Sequence, residues 1–537
     1  MALIPAPALL LLAVSRWQQF KRAFFDETFT GIHQLSWFDW ALLAPYFTLL
    51  IILSIYGLHR YVVVRTYFKH RQKLPQGPSG RFEQLPPVTI QLPIYNERYV
   101  VERLIDEVLK IDYPRELLQV QVLDDSTDDT HPFTEALVAR RQALGFPIEY
   151  HHRPNREGFK AGALQAGLKT ATGEFIAIFD ADFVPPPDFL LRTVHFFTDP
   201  RIGLVQTRWS YFNRDYSVLT EVEAMILDGH FVLEQGARCG RGLFFNFNGT
   251  AGILRQSMIE DAGGWQHDTL VEDCDLSYRA QLKGWKFVYL PALDCPSELP
   301  VEMHGFQMQQ SRWAKGLTQC ARKLLPVILR ARIPWRHKLE AFCHLTPNIS
   351  YPFIMVVWAL MLPVMIVRFY VGWLQMLLVD LPLIVACFIS IGVFYVAAQR
   401  ELDPRGWKRS LFLLPALMAA GMALTVINTR GVLEALLGSP NEWSRTAKYA
   451  IAGRHHQPLT AKYRRRSGWL PWIELAVGTY FLGMVAFSIE TYNFFALPFL
   501  LLAVTGYFWA GLATLFQEYR DRRQASRRRR LELETAR

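Results

Sequence analysis

Two aspartates, Asp180 and Asp182, are separated by one residue at the end of the apolar run 175–179. The run predicts a short buried strand, and the prolines at 185–187 stop its continuation. Side chains of an extended chain alternate, so the two carboxylates face the same point. Hard oxygen ligands suit Mg²⁺ or Mn²⁺, and such an ion completes its shell with phosphate oxygens. The pair predicts a divalent metal site, with a solvated turn as the alternative.

The elements around this pair alternate between strand and helix patterns. Strands are predicted at 88–92 and 120–123 as well as at 175–179, and helices at 100–109 and 160–168. This alternation predicts a largely parallel α/β sheet with helices on both faces. Ligands of such sheets bind outside the carboxyl ends of the strands.

Polar residues follow the other two predicted strands as well. Tyr95 and Glu97 come after the first, and Asp124 and Asp125 come after the second. Tyr95 suits contact with a nucleobase, and an aspartate can accept a hydrogen bond from a base or ribose. One shared nucleotide site explains the three clusters together, although Asp124 and Asp125 would also serve as a helix cap. Lys160 either helps to position a diphosphate or is solvated.

Further downstream, Glu272 and Asp273 are candidates for the carboxylate that removes a proton from an attacking hydroxyl. They would otherwise cap a helix predicted at 276–283. Gln309, Arg312 and Trp313 lie within about one helical turn. Arg312 can clamp a phosphate, and Trp313 can stack on a sugar ring. The alternatives are a basic interfacial face for Arg312, and a core position or a membrane-interface anchor for Trp313.

The composition indicates a soluble part and a membrane part in one chain. Of the 537 residues, 51% are hydrophobic and 20% are charged, with a net charge of +10. The basic residues lie beside apolar runs, which is typical of cytoplasmic membrane flanks and argues against nucleic acid as a partner. The six cysteines are scattered without a C-x-x-C pair, so reduced thiols are expected.

The segment from Trp40 to Leu58 has no charged residue and is long enough to cross a bilayer. Basic residues follow it directly, so the positive-inside tendency places the next domain in the cytoplasm. The predicted organisation is an N-terminal segment (1–37), a transmembrane helix (38–64), a linker (65–85), the α/β domain (86–318), an interfacial amphipathic helix (319–344), a transmembrane region (345–516) with a loop at 439–468, and a basic cytoplasmic tail (517–537).

The number of membrane crossings depends on one run. Apolar runs lie at 345–367, 373–398, 411–429, 470–489 and 494–516. Counting all of them as crossings would put two basic stretches outside, against the positive-inside tendency. We therefore favour five crossings in total, with 411–429 in the interface.

The ordered motifs across about 86–320 resemble the processive family 2 glycosyltransferases, which include cellulose, chitin and hyaluronan synthases. The runs 122–128, 177–183, 247–252 and 271–273 are most similar to the cellulose-synthase-like A and C groups. This resemblance implies a GT-A-like catalytic domain, and an inverting synthase of a β-1,4-linked mannan, glucomannan or glucan. The donor would be GDP-mannose or UDP-glucose, the cofactor Mg²⁺ or Mn²⁺, and the product would cross the membrane.

The resemblance also assigns roles to single residues. It makes Asp273 the general base, and Asp180 and Asp182 the nucleotide and metal ligands. Asp125 or Asp124, with Gln309 and Arg312, would bind the nucleotide, and the positions of Tyr95, Glu97 and Lys160 add them to this set. Trp313, Phe247, Asn248, Gly249 and Thr250 would contact the acceptor, and Glu272 is added because it lies beside Asp273. The stretch 442–449 is similar to a cytoplasmic gating segment, but it departs from the usual pattern.

Two other functions are compatible with these motifs. A non-processive relative would transfer one sugar to a membrane lipid, and a transporter or scaffold would carry a degenerate domain. The filled acidic positions argue against the scaffold. The expected partners are the nucleotide sugar, the growing polysaccharide and the bilayer, with homo-oligomer formation left open. A bacterial plasma membrane and a Golgi membrane both fit the sequence.

Overall fold

In the computed structural model, the described residues are 34–369, 382–383, 385–441, 446, 448–451, 468–491, 494 and 496–535. The chain enters through a long helix, α1 (Trp37–His70), which is apolar over most of its length. Ser36 and Asp39 form a capping box at its start, with the Ser36 amide donating to Asp39 Oδ2 at 2.7 Å. The helix extends to His70, into the segment that the sequence assigns to a linker.

A seven-stranded sheet forms the centre of the α/β domain, in the order β3-β2-β1-β4-β6-β5-β7. The strands are β1 (Val88–Ile94), β2 (Leu118–Asp124), β3 (Ile148–His152), β4 (Phe175–Ile178), β5 (Ile202–Tyr211), β6 (Gly252–Arg255) and β7 (Lys286–Ser297). All neighbouring pairs are parallel except those of β6, which runs antiparallel to β4 and β5. The predicted α/β domain and its three predicted strands are confirmed.

The helices of this domain are α2 (Val101–Val108), α3 (Thr130–Ala143), α4 (Phe159–Leu168), α5 (Phe189–Thr193), α6 (Val218–Asp228), α7 (Gly236–Arg241), α8 (Gln256–Asp261) and α9 (Glu272–Leu282). All except α6 and α7 cover the sheet, and those two pack in apolar clusters of their own. Alternate strand residues face two separate apolar clusters. Ile90 and Val122 belong to one, and Ile176 and Leu254 belong to the other. Burial on both faces explains why the strands read as nearly continuous apolar runs.

Two helices connect this domain to the membrane region. Helix α10 (Met303–Arg330) is continuous through the predicted domain boundary at 318, so the amphipathic helix begins earlier than expected. Helix α11 (Trp335–Leu345) follows it and exposes Trp335, Leu339 and Phe342. This apolar surface suits the predicted interfacial position, which stays a prediction.

The remaining helices are α12 (Ser350–Phe369), α13 (Ser390–Leu402), α14 (Lys408–Leu437), α15 (Leu470–Glu490) and α16 (Leu497–Thr535). Among the described residues, six helices are long and apolar enough to cross a membrane, and α14 is one of them. That number is one more than the charge pattern favours. The basic stretches favour an interfacial position for this helix, which stays a prediction, and half of its apolar stretch is buried against its neighbours.

Candidate active site

A cavity opens at the carboxyl edge of the sheet, beside α10. Tyr95, Asp125 and Asp180 all line it, each one or two residues beyond the end of β1, β2 or β4. Parallel pairing brings these ends together, since Ile94 is in register with Asp124 and Gln91 with Ile178. The predicted site residues that line this one cavity are Tyr95, Glu97, Asp125, Lys160, Asp180, Asp182, Asn248, Gly249, Glu272, Asp273, Gln309, Arg312 and Trp313.

The acidic centre of the cavity holds a buried lysine. Lys160 Nζ lies 2.5 Å from Asp180 Oδ1 and donates to the Gly249 carbonyl oxygen at 3.0 Å. Burial lowers the pKa of Lys160, but the carboxylates of Asp180, Glu272 and Asp273 outweigh it and raise that pKa overall. Lys160 therefore remains a cation among these carboxylates, which excludes the solvated alternative for its side chain.

Asp273 lies in the first turn of α9 and accepts a hydrogen bond from the Cys274 amide at Oδ1, at 2.7 Å. Burial, and then the neighbouring charge of Glu272, raise its pKa to about 7, while Lys160 opposes this shift. A carboxylate with a pKa near neutrality is suited to accept a proton from a hydroxyl.

Gly249 lies between the carboxylate of Asp273 and the ammonium group of Lys160. A Cβ at this position would lie 3.0 Å from Asp273 Oδ2 and 3.4 Å from Lys160 Nζ. Its φ of +82° is also one that residues with a side chain rarely adopt. Glycine is therefore required here both by the close approach of these groups and by the backbone.

Helix α10 contributes Gln309, Arg312 and Trp313 to the cavity wall. Burial lowers the pKa of Arg312, and the carboxylates of Asp180, Glu272, Asp182 and Asp273 counteract the shift. The guanidinium therefore lies within electrostatic reach of all four acidic groups.

This part of α10 is fixed to the membrane helices on both sides of Arg312. Ser311 Oγ donates to the Ile427 carbonyl oxygen of α14 at 3.2 Å. Gln307 donates to Glu474 of α15 at 2.5 Å, and Lys315 Nζ lies 3.1 Å from Glu434 Oε2 of α14. Residues that line the site and helices that form the membrane region are thus parts of one packed unit.

The end of the cavity near Tyr95 carries two arginines. The guanidinium of Arg156 lies 3.2 Å from the centre of the Tyr95 ring. Asp125 is held by Arg153 through bonds of 2.7 Å and 2.5 Å. Planar and hydrogen-bonding surfaces therefore meet where the sequence predicts a nucleotide base.

Asp124 lies outside this cavity. Its oxygens accept hydrogen bonds from the Ser126 amide at 2.8 Å and from the Tyr150 hydroxyl at 2.7 Å. With His131 and His152 it forms a separate group whose possible metal-ligand atoms lie within 4.8 Å of one another. Of the two adjacent aspartates, the structure leaves Asp125 as the candidate for the nucleotide.

Two of the predicted acceptor residues do not line the cavity. Phe247 is 1% exposed and packs in the apolar core against Gly252. Thr250 is fully buried, and its hydroxyl accepts a hydrogen bond from the Asp180 amide at 2.9 Å. The expectation of acceptor contacts is therefore corrected for both, because these side chains support the loops that carry Asn248, Gly249 and Asp180.

Known proteins with similar sequences are glycosyltransferases. Residues 175–399 match the family described as glycosyl transferase family group 2. Glucomannan 4-beta-mannosyltransferase 1 of Oryza sativa subsp. japonica is 38% identical over 376 residues, which are 68% of this chain and 70% of that protein. The chain belongs to the glucomannan 4-beta-mannosyltransferase family. This confirms both the resemblance and the assignment as a glycosyltransferase, and it disfavours the lipid-modifying alternative.

Two plant relatives agree with this family assignment. Glucomannan 4-beta-mannosyltransferase 9 of Arabidopsis thaliana is 34% identical to this glycosyltransferase over 411 residues, 74% of each chain. Glucomannan 4-beta-mannosyltransferase 2 of the same plant is 46% identical over 250 residues, 46% of this chain and 47% of that one. A solved mannosyltransferase from Pyrobaculum calidifontis, in complex with GDP-Man and Mn²⁺, has a TM-score of 0.46 and 22% identity, covering 68% of this chain and 98% of that one.

Sequence reasoning missed several residues of this glycosyltransferase that line the cavity. Lys448 Nζ lies 2.8 Å from Asp182 Oδ2, and Lys448 also donates to the Glu298 carbonyl oxygen. The Glu298 carboxylate accepts from the Tyr449 amide at 2.8 Å and pairs with Arg103 at 3.0 Å. Residues 442–445, 447 and 452–467 of the predicted gating-like loop lie outside the described residues.

A signal for part of this set was present in the sequence. Glu298 directly follows β7, and Trp209 and Tyr211 lie at the end of β5. These strand ends point the same way as the end of β4, because β5 is antiparallel to β6 and β6 is antiparallel to β4. Recognising strands at 202–211 and 286–297 would have added these three residues to the predicted site.

Proposed function

We propose that this enzyme transfers mannose from GDP-mannose to the end of a β-1,4-linked mannan or glucomannan. The observation that carries the proposal is the meeting of Asp180, Asp182, Asp273, Arg312 and Trp313 in one cavity. The relatives are named as 4-beta-mannosyltransferases, which favours mannose over glucose as the sugar that is transferred. GDP-mannose thus becomes the first choice between the two donors that the sequence leaves open.

Asp180 and Asp182 suit a divalent cation, since they offer hard carboxylate oxygens to the same cavity. Either Mg²⁺ or Mn²⁺ fits this donor set, and the bound ion would neutralise the diphosphate that leaves. Lys160 and Arg312 add two cations of the chain for the same phosphates. Tyr95, Arg156 and Asp125 would receive the nucleoside at the other end.

In the transfer step, an acceptor hydroxyl oxygen forms the new bond to C1 of mannose, and the bond from C1 to the phosphate oxygen breaks. The hydroxyl proton moves to the Asp273 carboxylate, and the nucleoside diphosphate leaves with the electron pair of the broken bond. Attack on the face opposite the leaving group inverts the configuration at C1. Gly249 allows Asp273 to lie close to Lys160.

Trp313 would support the terminal sugar of the acceptor by stacking. The attachment of α10 to α14 and α15 places this tryptophan beside helices that are long enough to cross a membrane. A polymer that is elongated here would have a short route into the bilayer region. We therefore propose elongation coupled to export, with the catalytic domain in the cytoplasm.

The test is sugar incorporation by the purified enzyme in lipid nanodiscs. GDP-mannose and UDP-glucose are supplied separately, each with Mg²⁺ or Mn²⁺. We expect a polymer from GDP-mannose that an endo-β-1,4-mannanase digests. A polymer made only from UDP-glucose and cut by a β-1,4-glucanase would refute the choice of donor.

Asp273→Asn is the matched variant for the chemical step. It should abolish elongation but leave GDP binding, measured by calorimetry, within about twofold of wild type, because only the proton acceptor is removed. Full activity of this variant would refute the role of Asp273. A lipid-extractable product of one or two sugars from the wild-type enzyme would refute polymer synthesis.

A further inference from the structure

Helix α6 lies where the catalytic domain meets the membrane helices. Its residues Leu219 and Val222 pack in one cluster with Met303 and Phe306 of α10 and Leu417 of α14. At the far end of the same helix, Leu227 lines the active-site cavity. The helix therefore forms a wall between the acidic centre and the membrane region.

Three acidic side chains lie on α6, and two of them have clear structural partners. Glu221 pairs with Arg409 at the start of α14. Asp228 accepts from Arg214 at 2.7 Å and from Gln399 of α13 at 2.8 Å. These two carboxylates attach α6 to its neighbours.

The third, Glu223, is only 1% exposed, and neither of its carboxylate oxygens has a hydrogen-bond partner among the described residues. Burial raises its pKa well above the usual value, and Lys448 opposes this shift. A neutral carboxyl group both donates and accepts hydrogen bonds, as a sugar hydroxyl does. A buried carboxyl without a partner is costly, so a ligand that supplies hydroxyls would be bound favourably.

Glu223 is one helical turn before Leu227, so both face the same side of α6. Lys448, the charged group that acts on Glu223, lines the cavity too. The same wall contains the Tyr211 hydroxyl and the Trp209 indole N–H. Both are buried polar atoms without a hydrogen-bond partner in the described part of the chain. Tyr211 and Trp209 thus bring two unmatched polar groups to residues that line the cavity, and Glu223 adds a third one helical turn from Leu227.

We infer that Glu223, Tyr211 and Trp209 form a hydrogen-bonding subsite for the hydroxyl groups of the acceptor glycan, on its path from Trp313 to the membrane helices. The inference rests on the proposed function, because it needs a glycan acceptor. It adds a polar wall to the stacking contact of Trp313. Such a wall would hold the chain that has already been made while the donor site is refilled.

The test measures oligosaccharide binding without any donor. Tyr211→Phe removes only the hydroxyl, and Glu223→Ala removes only the carboxyl side chain. Glu221→Gln, on the same helix, is the control. Each of the first two should weaken the binding of β-1,4-mannotetraose, followed by calorimetry in nanodiscs, by roughly tenfold, as expected for one lost hydrogen bond. The control should stay within about twofold, since its partner Arg409 is largely exposed.

A second measurement separates the subsite from the donor site. In Tyr211→Phe and Glu223→Ala, the affinity for mannotetraose should fall more than the affinity for GDP, both measured by calorimetry, and the average product should become shorter. Unchanged oligosaccharide affinity in both variants, with thermal midpoints equal to wild type, would overturn the inference. Cellotetraose is titrated in parallel. If the wild-type enzyme binds only cellotetraose and both variants lose that binding, the proposed sugar is wrong and the subsite stands.

Discussion

Lys160→Gln should shift the pH dependence of elongation, because Lys160 stabilises the ionised form of the proposed base. Asp273 must be unprotonated to accept the hydroxyl proton, so activity should rise with pH through the pKa of Asp273, which is about 7. Lys160 opposes the effects of burial and of Glu272 on this pKa. Its removal should therefore raise the pKa of Asp273 and displace the acidic limb of the profile to higher pH.

The magnitude follows from the geometry at Gly249, whose Cβ would lie 3.0 Å from Asp273 Oδ2 and 3.4 Å from Lys160 Nζ. For a separation of about 6 Å and an effective dielectric constant of about 20, Coulomb's law gives roughly 2 to 3 kcal/mol, or about 2 pH units. Arg312 also acts on this carboxylate and remains in place. We therefore expect a displacement of about 1 to 2 pH units.

The assay is the initial rate of mannose incorporation at saturating GDP-mannose and fixed Mn²⁺, between pH 5.5 and 9.5. Because GDP-mannose is saturating, a loss of donor affinity does not change the rate, and the profile reports the pKa of Asp273. Glu272→Gln serves as the opposite test. It removes the negative charge that raises the pKa of Asp273, so its acidic limb should move to lower pH. Equal midpoints in wild type and both variants, or two displacements of the same sign, would refute the reasoning.

Three further predictions concern side chains around the same cavity. Gly249→Ala should reduce the elongation rate at saturating donor by at least about tenfold, because its Cβ would meet Asp273 and strain the backbone; an unchanged rate would contradict this. Trp313→Ala should weaken mannotetraose binding more than GDP binding in calorimetry, and the reverse order would exclude stacking on the acceptor. Glu298→Leu should lower the thermal unfolding midpoint by several degrees, since it leaves the largely buried Arg103 unpaired, whereas Glu116→Gln, at an exposed position, should not; equal midpoints would contradict a structural role for this ion pair.

The sequence alone predicts the site residues that directly follow a clearly apolar strand. The runs 88–92, 120–123 and 175–179 are apolar and end in polar residues, so the parallel arrangement brings Tyr95, Asp125 and Asp180 together. The helix of Arg312 and Trp313 was predicted by its spacing. Its continuity from Met303 to Arg330 was not, because a soluble and an interfacial amphipathic pattern look alike.

Other features depend on contacts that no local pattern reveals. Phe247 is next to site residues in the sequence, yet its ring packs in the apolar core against Gly252 of β6. Lys448 is more than 250 residues from Asp182 in sequence, so only the tertiary structure shows their ion pair. Glu223 is one of three acidic residues on α6. It differs from the other two because its carboxylate is buried without a hydrogen-bond partner among the described residues.

Asp180 and Asp182 repel each other unless a cation lies between or beside them. In the structure the chain supplies that cation twice, with Lys160 at Asp180 and Lys448 at Asp182. The acidic centre is therefore close to charge balance before any ligand binds. An incoming diphosphate adds negative charge, so it must arrive with a divalent cation or be neutralised by Lys160, Lys448 and Arg312. This balance explains why basic residues from three distant segments are needed around a site whose recognisable motifs are acidic.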